Sequence, residues 1–251
     1  MSDGAVSRIL VTGAASPLGQ EISRVLGGQF QLRRVDDCEP TDGEGEWMWA
    51  SLVDAGAMEA AVRDIDVVIH TGEPPPVLPA DPLSCEEMVL DLATRGTHML
   101  CKAAVAAGVK RFIYGSTLEV FGDYPDTVYI SELYKPLPPT EPRVLARYLG
   151  EITCREFARD FAITATALRL GKLVRAEEVV GWDPDLMWVD IRDAASAFAA
   201  AIAIDNGTAL NWVARWAIFH ICAPVANAKF LIGRAKAMGY TPQFDLQGGA
   251  R

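Results

Sequence analysis

The chain has 251 residues, half of them hydrophobic, and a formal net charge of −10. That is enough apolar material for one large α/β core, with or without a small appendage, and it excludes a predominantly disordered chain. The acidic balance argues against nucleic acid as a partner, because phosphate binding needs clustered Lys and Arg, and no uncharged apolar run reaches membrane-spanning length.

Short apolar runs alternate with helical patterns along the chain, which predicts a parallel sheet covered by helices. "RILVTG" (Arg8–Gly13) reads as the first strand and "PLGQEISRVLGG" as a helix. "FQLRRVDD" (Phe30–Asp37), "DVVIH" (Asp66–His70) and "RFIYGS" (Arg111–Ser116) are further strands, with a helix over Met88–Gly108 between the last two. The segments Glu73–Pro82 and Tyr134–Pro142 are proline-rich loops. Arg143–Phe161 has helical spacing, Ile163–Leu170 reads as a strand, and Val189–Ala203 as a helix with its entry. The fold expectation is α/β: a doubly wound, Rossmann-like parallel sheet over residues 1–170. A small C-terminal substrate or lid subdomain over 171–251 is interleaved with the same core.

Five cysteines (Cys38, Cys85, Cys101, Cys154, Cys222) contain no CxxC pair. Neither a disulfide framework nor a zinc site is suggested, and His70, His98 and His220 are too scattered to suggest a metal. The opening "MSDGAVSRILVTG" has no charged region followed by an apolar one, so a cytoplasmic location is expected.

The turn "VTGAASPLGQ" follows a strand and opens a helix, where glycines let a pyrophosphate approach the positive helix N-terminus. Gly13, Ser16, Pro17, Leu18 and Gly19 form this candidate phosphate turn. Ser16 stands where the usual spacing places a middle glycine, and its Cβ narrows the approach. Asp36 ends the second strand at the position where a carboxylate accepts hydrogen bonds from a ribose diol, which favours NAD. Arg33 and Arg34 precede it and keep NADP open, although strand alternation prevents both from facing one site.

From about Arg8 to Ala203 the chain resembles the extended short-chain dehydrogenase/reductase family, the NAD-dependent epimerase/dehydratase group. The likeness rests on "VTGAASPLG", "DVVIHTGE", "RGTHMLCKAAVAAGVKRFIYGSTLEVFG", "LGEITCREFARDF", "TALRLGKLV" and "WVDIRDAASAF", in that order. It implies cofactor contacts at Ser51, Leu52 and Thr71 beside those of the turn and Asp36. It also implies a substrate-positioning hydroxyl at Thr117, a Tyr acid/base at position 143, a Lys at 147 and a homodimer paired through the long helices. Positions 143 and 147 hold Arg143 and Arg147, which do not exchange protons near neutral pH. The expected asparagine is Ala93, the carboxylate after the third strand is Ser51, and Glu73 follows a strand where small apolar residues are usual.

Arg143 and Arg147, continued by Glu151 and Arg155, form either a solvated ion-pair stripe or a cationic face turned toward the cofactor. In the second case Thr117 would position a substrate and the arginines would supply charge. Tyr148 and Tyr114 are expected to pack in the core, the alternative for Tyr148 being a displaced acid. Glu73 is expected to be an exposed loop carboxylate, or a base if the proline-rich loop folds over the cleft. Trp182 and Trp188 either line a pocket or cover a small C-terminal core. The short C-terminal segment suits a small hydroxyl- or carbonyl-bearing compound better than a nucleotide sugar. The functional expectation is an NAD(P)-binding oxidoreductase- or epimerase-like protein with an altered site. Its alternative is a non-catalytic dinucleotide-binding sensor or scaffold.

Overall fold

The computed structural model describes residues 6–38, 44–225 and 227–246. Residues 1–5, part of the opening segment read for a leader, lie outside them. In chain order the elements are β1 (Arg8–Thr12), α1 (Pro17–Leu26), β2 (Gln31–Asp36), β3 (Glu46–Trp49), α2 (Ala55–Ala61) and β4 (Val67–His70). Then come α3 (Pro82–Asp91), a π-helical turn (Leu92–Gly96), α4 (Thr97–Ala107), β5 (Arg111–Thr117) and a 3-10 turn (Leu118–Phe121). The remainder is α5 (Pro142–Asp160), β6 (Thr164–Leu170), β7 (Lys172–Val174), β8 (Trp188–Asp190), α6 (Ile191–Ala201), β9 (Trp216–Ile221) and α7 (Gly233–Met238).

Seven strands form one parallel sheet in the order β3-β2-β1-β4-β5-β6-β9. Every residue of β4 and β6 is buried, as expected for strands covered on both faces. One face packs on α1 and α6, through Leu18, Ile22, Leu26, Ala194 and Phe198. The other packs on α2, α4 and α5, through Met58, Leu100, Ala104, Cys154 and Ala158. Burying each of the larger apolar side chains contributes about 1.5–3 kcal/mol. The chain beyond Leu170 forms the small β7–β8 pair, then returns α6 and β9 to the main layers.

Two readings from the sequence shift. The proline-rich segment ending at Pro82 does not run on as a loop: Pro82 occupies the first turn of α3, whose cap Asp81 accepts the Ser84 amide at 2.9 Å. Proline there loses no helical hydrogen bond and its φ suits the helix. The helix read over Met88–Gly108 therefore starts earlier and contains a π turn, a feature that often re-aims side chains beside functional sites.

Strand order reverses between β1 and β4, so the C-terminal ends of those strands open a crevice. α5 lies along one side of it. At Gly150 the helix meets β5 so closely that a Cβ would collide with the Tyr114 hydroxyl.

Candidate functional site

The crevice is lined by Gly13, Asp36, Leu52, His70, Glu73, Ala93, Tyr114, Arg143 and Arg147, among others. Gly13 turns the chain out of β1 with φ +70°, and a Cβ there would strike the Thr71 hydroxyl. Ser16 caps α1: its Oγ accepts the Gly19 amide at 3.0 Å and donates to the Gly13 carbonyl at 2.7 Å. The hydroxyl is thus engaged within the turn. Of the first-turn amides, Pro17 has none, Gly19 is held by Ser16 Oγ, and Gln20 donates to the Ser16 carbonyl. The Leu18 N–H is left for an anion at the positive end of α1.

Asp36 ends β2 at 8 % exposure, accepting the Ala15 amide at 2.8 Å and the Asp37 amide at 2.9 Å. Burial raises its pKa to about 6, against the lowering effect of those two amides. Val35, Ala50, Leu52, Val89, Leu92 and Ala93 make an apolar wall beside it. Ser51 lies just outside this wall, on a neighbouring surface hollow with Asp37 and Asp91. Thr71 is fully buried behind Gly13. The carboxylate and the apolar slot fit the adenosine half of a dinucleotide.

The other end of the crevice is built differently. Arg147 reaches from α5 to the end of β5, donating Nη2 to the Ser116 carbonyl at 3.0 Å and to the Gly115 carbonyl at 3.2 Å. Its Nη1 pairs with Glu73 Oε1 at 2.8 Å, the two side chains being 14 % and 22 % exposed. Glu73 is therefore not the solvated loop carboxylate expected from the sequence. Gly72 (φ +68°) turns the loop toward the Gly115 carbonyl, and Pro74 and Pro75 continue along the cleft.

Arg143, one turn earlier on α5, is exposed and has no ion-pair partner among the described residues. It stands between the crevice and a second depression walled by Glu119, Lys172, Asp185 and Lys229. The stripe on α5 thus divides. Arg143 faces solvent, Arg147 is locked, and Glu151 is 2 % exposed.

Glu151, read from the sequence only as part of the α5 stripe, is buried beneath it. It accepts Ser116 Oγ at 2.5 Å and takes Arg169 Nε and Nη2 at 3.0 and 2.6 Å. The signal available was "GE" followed by an Arg within an otherwise apolar strand, since an arginine there demands a buried carboxylate.

Thr117 is 2 % exposed and caps the 3-10 turn, its Oγ1 accepting the Glu119 amide at 3.1 Å and lying 3.3 Å from Glu119 Oε2. Tyr114 is fully buried, donates to the Arg147 carbonyl at 3.1 Å, and has its pKa pushed up by burial. Tyr148 packs against the cluster around Phe121. His70 sits between the Thr12 and Thr97 hydroxyls at 2.9 and 3.1 Å, and burial lowers its pKa to about 3. Trp188 is buried against Val179 and Ala223, whereas Trp182 is 63 % exposed.

A doubly wound sheet, a glycine turn at its switch point and a carboxylate ending the second strand define a dinucleotide-binding fold of the Rossmann type. The chain belongs to the NAD dependent epimerase/dehydratase family, whose sequence profile matches residues 9–178. NAD, the cofactor expected from Asp36, is the cofactor of that family by its description. An NAD-dependent glucose-6-phosphate dehydrogenase of Haloferax volcanii is 26% identical over 257 residues, covering 94% of this chain and 92% of that protein. A uronate dehydrogenase of Agrobacterium fabrum is 30% identical over 175 residues, covering 66% of this chain and 61% of that enzyme. Among solved structures, MoeE5 in complex with UDP-glucuronic acid and NAD superposes with a TM-score of 0.77 at 19% identity, covering 97% of this chain and 96% of that one. The last likeness is one of fold. Among the described residues no helix is long and apolar enough to cross a membrane.

Proposed function

We propose that this protein binds NAD in the β1–β4 crevice and admits a small anionic, hydroxyl-bearing molecule beside Arg143, without running a Tyr–Lys hydride relay. The observation that carries this reading is Arg147. Where a relay lysine would stand, its guanidinium is held by two strand carbonyls and Glu73. NAD, when bound, supplies a hydride acceptor. Hydride leaves an alcohol only as its proton is taken, and a protonated guanidinium takes none near neutral pH.

Tyr114 and His70 do not replace the relay. Tyr114 is buried with its hydroxyl engaged, and His70 is fixed between two threonines. Gly13, Leu18, Gly19, Asp36 and Leu52 are the residues this reading assigns to NAD, with Ser16 and Pro17 shaping the turn and Thr71 supporting Gly13. Ser51 borders the adenosine slot. Thr117 holds the 3-10 turn and serves the depression by positioning Glu119.

Arg143 supports an anionic ligand because it is an exposed cation, with no ion-pair partner among the described residues, at the junction of the two depressions. The relatives named for glucose-6-phosphate and uronate also act on anionic sugars. Pairing of two copies through α4 and α5 belongs to the same reading, supported by the apolar hollow of Ile152, Phe157 and Phe161 between those helices.

The test is calorimetry with NAD, followed by nicotinamide absorbance across a panel of hexoses, uronates and hexose phosphates. Saturable NAD binding without NADH formation is the expected result. Robust turnover of any panel member overturns the non-redox assignment, and no NAD binding at millimolar concentration overturns the dinucleotide assignment. A second reading, an active dehydrogenase using Arg143 on an acidic sugar, is favoured by the exposure of Arg143 and predicts turnover lost in Arg143→Ala.

A further inference from the structure

The two ends of the crevice ask different things of a dinucleotide. At the β2 end stand the Asp36 carboxylate and the apolar wall of Ala50, Leu52 and Ala93. At the β4–β5 end the space beside the strands is crossed by Arg147 and Glu73, joined at 2.8 Å and anchored on the Gly115 and Ser116 carbonyls. A ligand group entering there must separate a largely buried ion pair and leave the Glu73 carboxylate without its guanidinium partner. Among the described residues no ion pair crosses the Asp36 end.

We propose that the cleft recognises the ADP-ribose portion of the dinucleotide and that the Glu73–Arg147 pair acts as a stop, leaving the nicotinamide ring unseated. This rests on the reading of the crevice as a dinucleotide site and specifies which half supplies the affinity. The pair sits on the far side of the α1 N-terminus from Asp36, where the second nucleoside follows the pyrophosphate. Two consequences follow from the geometry. ADP-ribose binds about as well as NAD, and the oxidised and reduced forms are not distinguished, because the ring that carries the redox state makes no seated contact. The protein then reports adenine dinucleotide or ADP-ribose rather than redox state.

The full chain is titrated calorimetrically with ADP-ribose, NAD, NADH and nicotinamide mononucleotide. Dissociation constants for ADP-ribose, NAD and NADH within fivefold of one another, with no saturation by nicotinamide mononucleotide at millimolar concentration, support the proposal. NAD or NADH binding more than fivefold tighter than ADP-ribose overturns it while leaving NAD binding intact. Failure of all four to bind overturns both the proposal and the dinucleotide reading beneath it. Glu73→Gln removes the charge without adding bulk, and Arg147→Lys keeps the cation but cannot hold both carbonyls and Glu73 together. Circular dichroism establishes that each is folded. In either folded variant the NAD-to-ADP-ribose affinity ratio is expected to rise at least fivefold. An unchanged ratio in both refutes the stop.

Discussion

Glu73 and Arg147 face each other across the cleft mouth at 2.8 Å, one from the loop after β4 and the other from the second turn of α5. The contact ties the proline-rich loop to the helix that would carry the family's proton relay. The guanidinium's Nε and Nη2 go to the carbonyls at the end of β5. Removing one member leaves the other charge in a poorly solvated place. Arg147→Ala is therefore expected to lower unfolding free energy by about 2–3 kcal/mol, and Glu73→Ala by less, since Glu73 is the more exposed. A double-mutant cycle in urea should give a coupling of about 1–3 kcal/mol between them. A coupling near zero would show the pair to be incidental.

Beneath that pair lies a second, deeper one. Glu151 and Arg169 are each 3 % exposed at the side chain, and Ser116 completes the carboxylate's hydrogen bonds. The guanidinium also lies 5.2 Å from the Phe121 ring centre. Glu151→Ala strands a buried arginine and should cost about 3–5 kcal/mol, measured by chemical denaturation. Ser116→Ala keeps the ion pair and should cost only about 1–2 kcal/mol.

The sheet was legible because parallel strands buried on both faces carry uninterrupted apolar runs, as in "RILVTG" and "DVVIH". β3 and β9 were not read from their own pattern, because "EWMW" and "WAIFHI" are partly exposed and carry no uninterrupted buried run. The placing of Arg143 and Arg147 on one stripe of α5 with Glu151 was also legible, from their spacing. The fate of those arginines was not. Arg147 finds Glu73 through a loop whose path no local periodicity encodes, and Glu151 finds Ser116 and Arg169 through the β5–β6 pairing. Spacing puts four charged residues on one helical stripe, and only the tertiary contacts separate an exposed one from a locked one and a buried one.

His70 and His220 are buried and neutral, each with its pKa lowered to about 3, chiefly by burial. Between pH 6.5 and 3 the unfolded chain takes up protons at these positions and the folded chain does not, so stability is lost on acidification. Asp36 acts oppositely, since its pKa is raised to about 6 and the folded form takes up its proton first between pH 6 and 3.8. Asp193, also raised by burial, acts in the same direction as Asp36, so the two histidines set a slope of falling stability on acidification that these carboxyls offset in part. His220→Phe, placed among Phe121 and Phe230, should flatten most of that slope. Unfolding free energies at four pH values measure it, and a pH-independent wild type would contradict the assignment.

The preference between NAD and NADP follows from what surrounds the end of β2. Asp36 and Asp37 stand together on the cleft, where a 2′-phosphate would meet two carboxylates. The two arginines that precede Asp36 are committed elsewhere. Arg33 pairs with Glu46 at 2.9 Å and donates to the Ala61 and Arg63 carbonyls, and Arg34 is 3 % exposed with its guanidinium 5.4 Å from the Trp47 ring centre. NAD should therefore bind at least roughly tenfold tighter than NADP at pH 8. Lowering the pH through about 6 protonates Asp36 and relieves one of the two repulsions, so the ratio should narrow on acidification. Asp36→Asn should narrow it at pH 8 and remove most of the pH dependence, although the variant also weakens the hold on the Ala15 amide. Paired titrations with NAD and NADP at pH 8 and pH 5.5 decide the matter: a ratio that stays constant between them would place the discrimination somewhere other than this carboxylate.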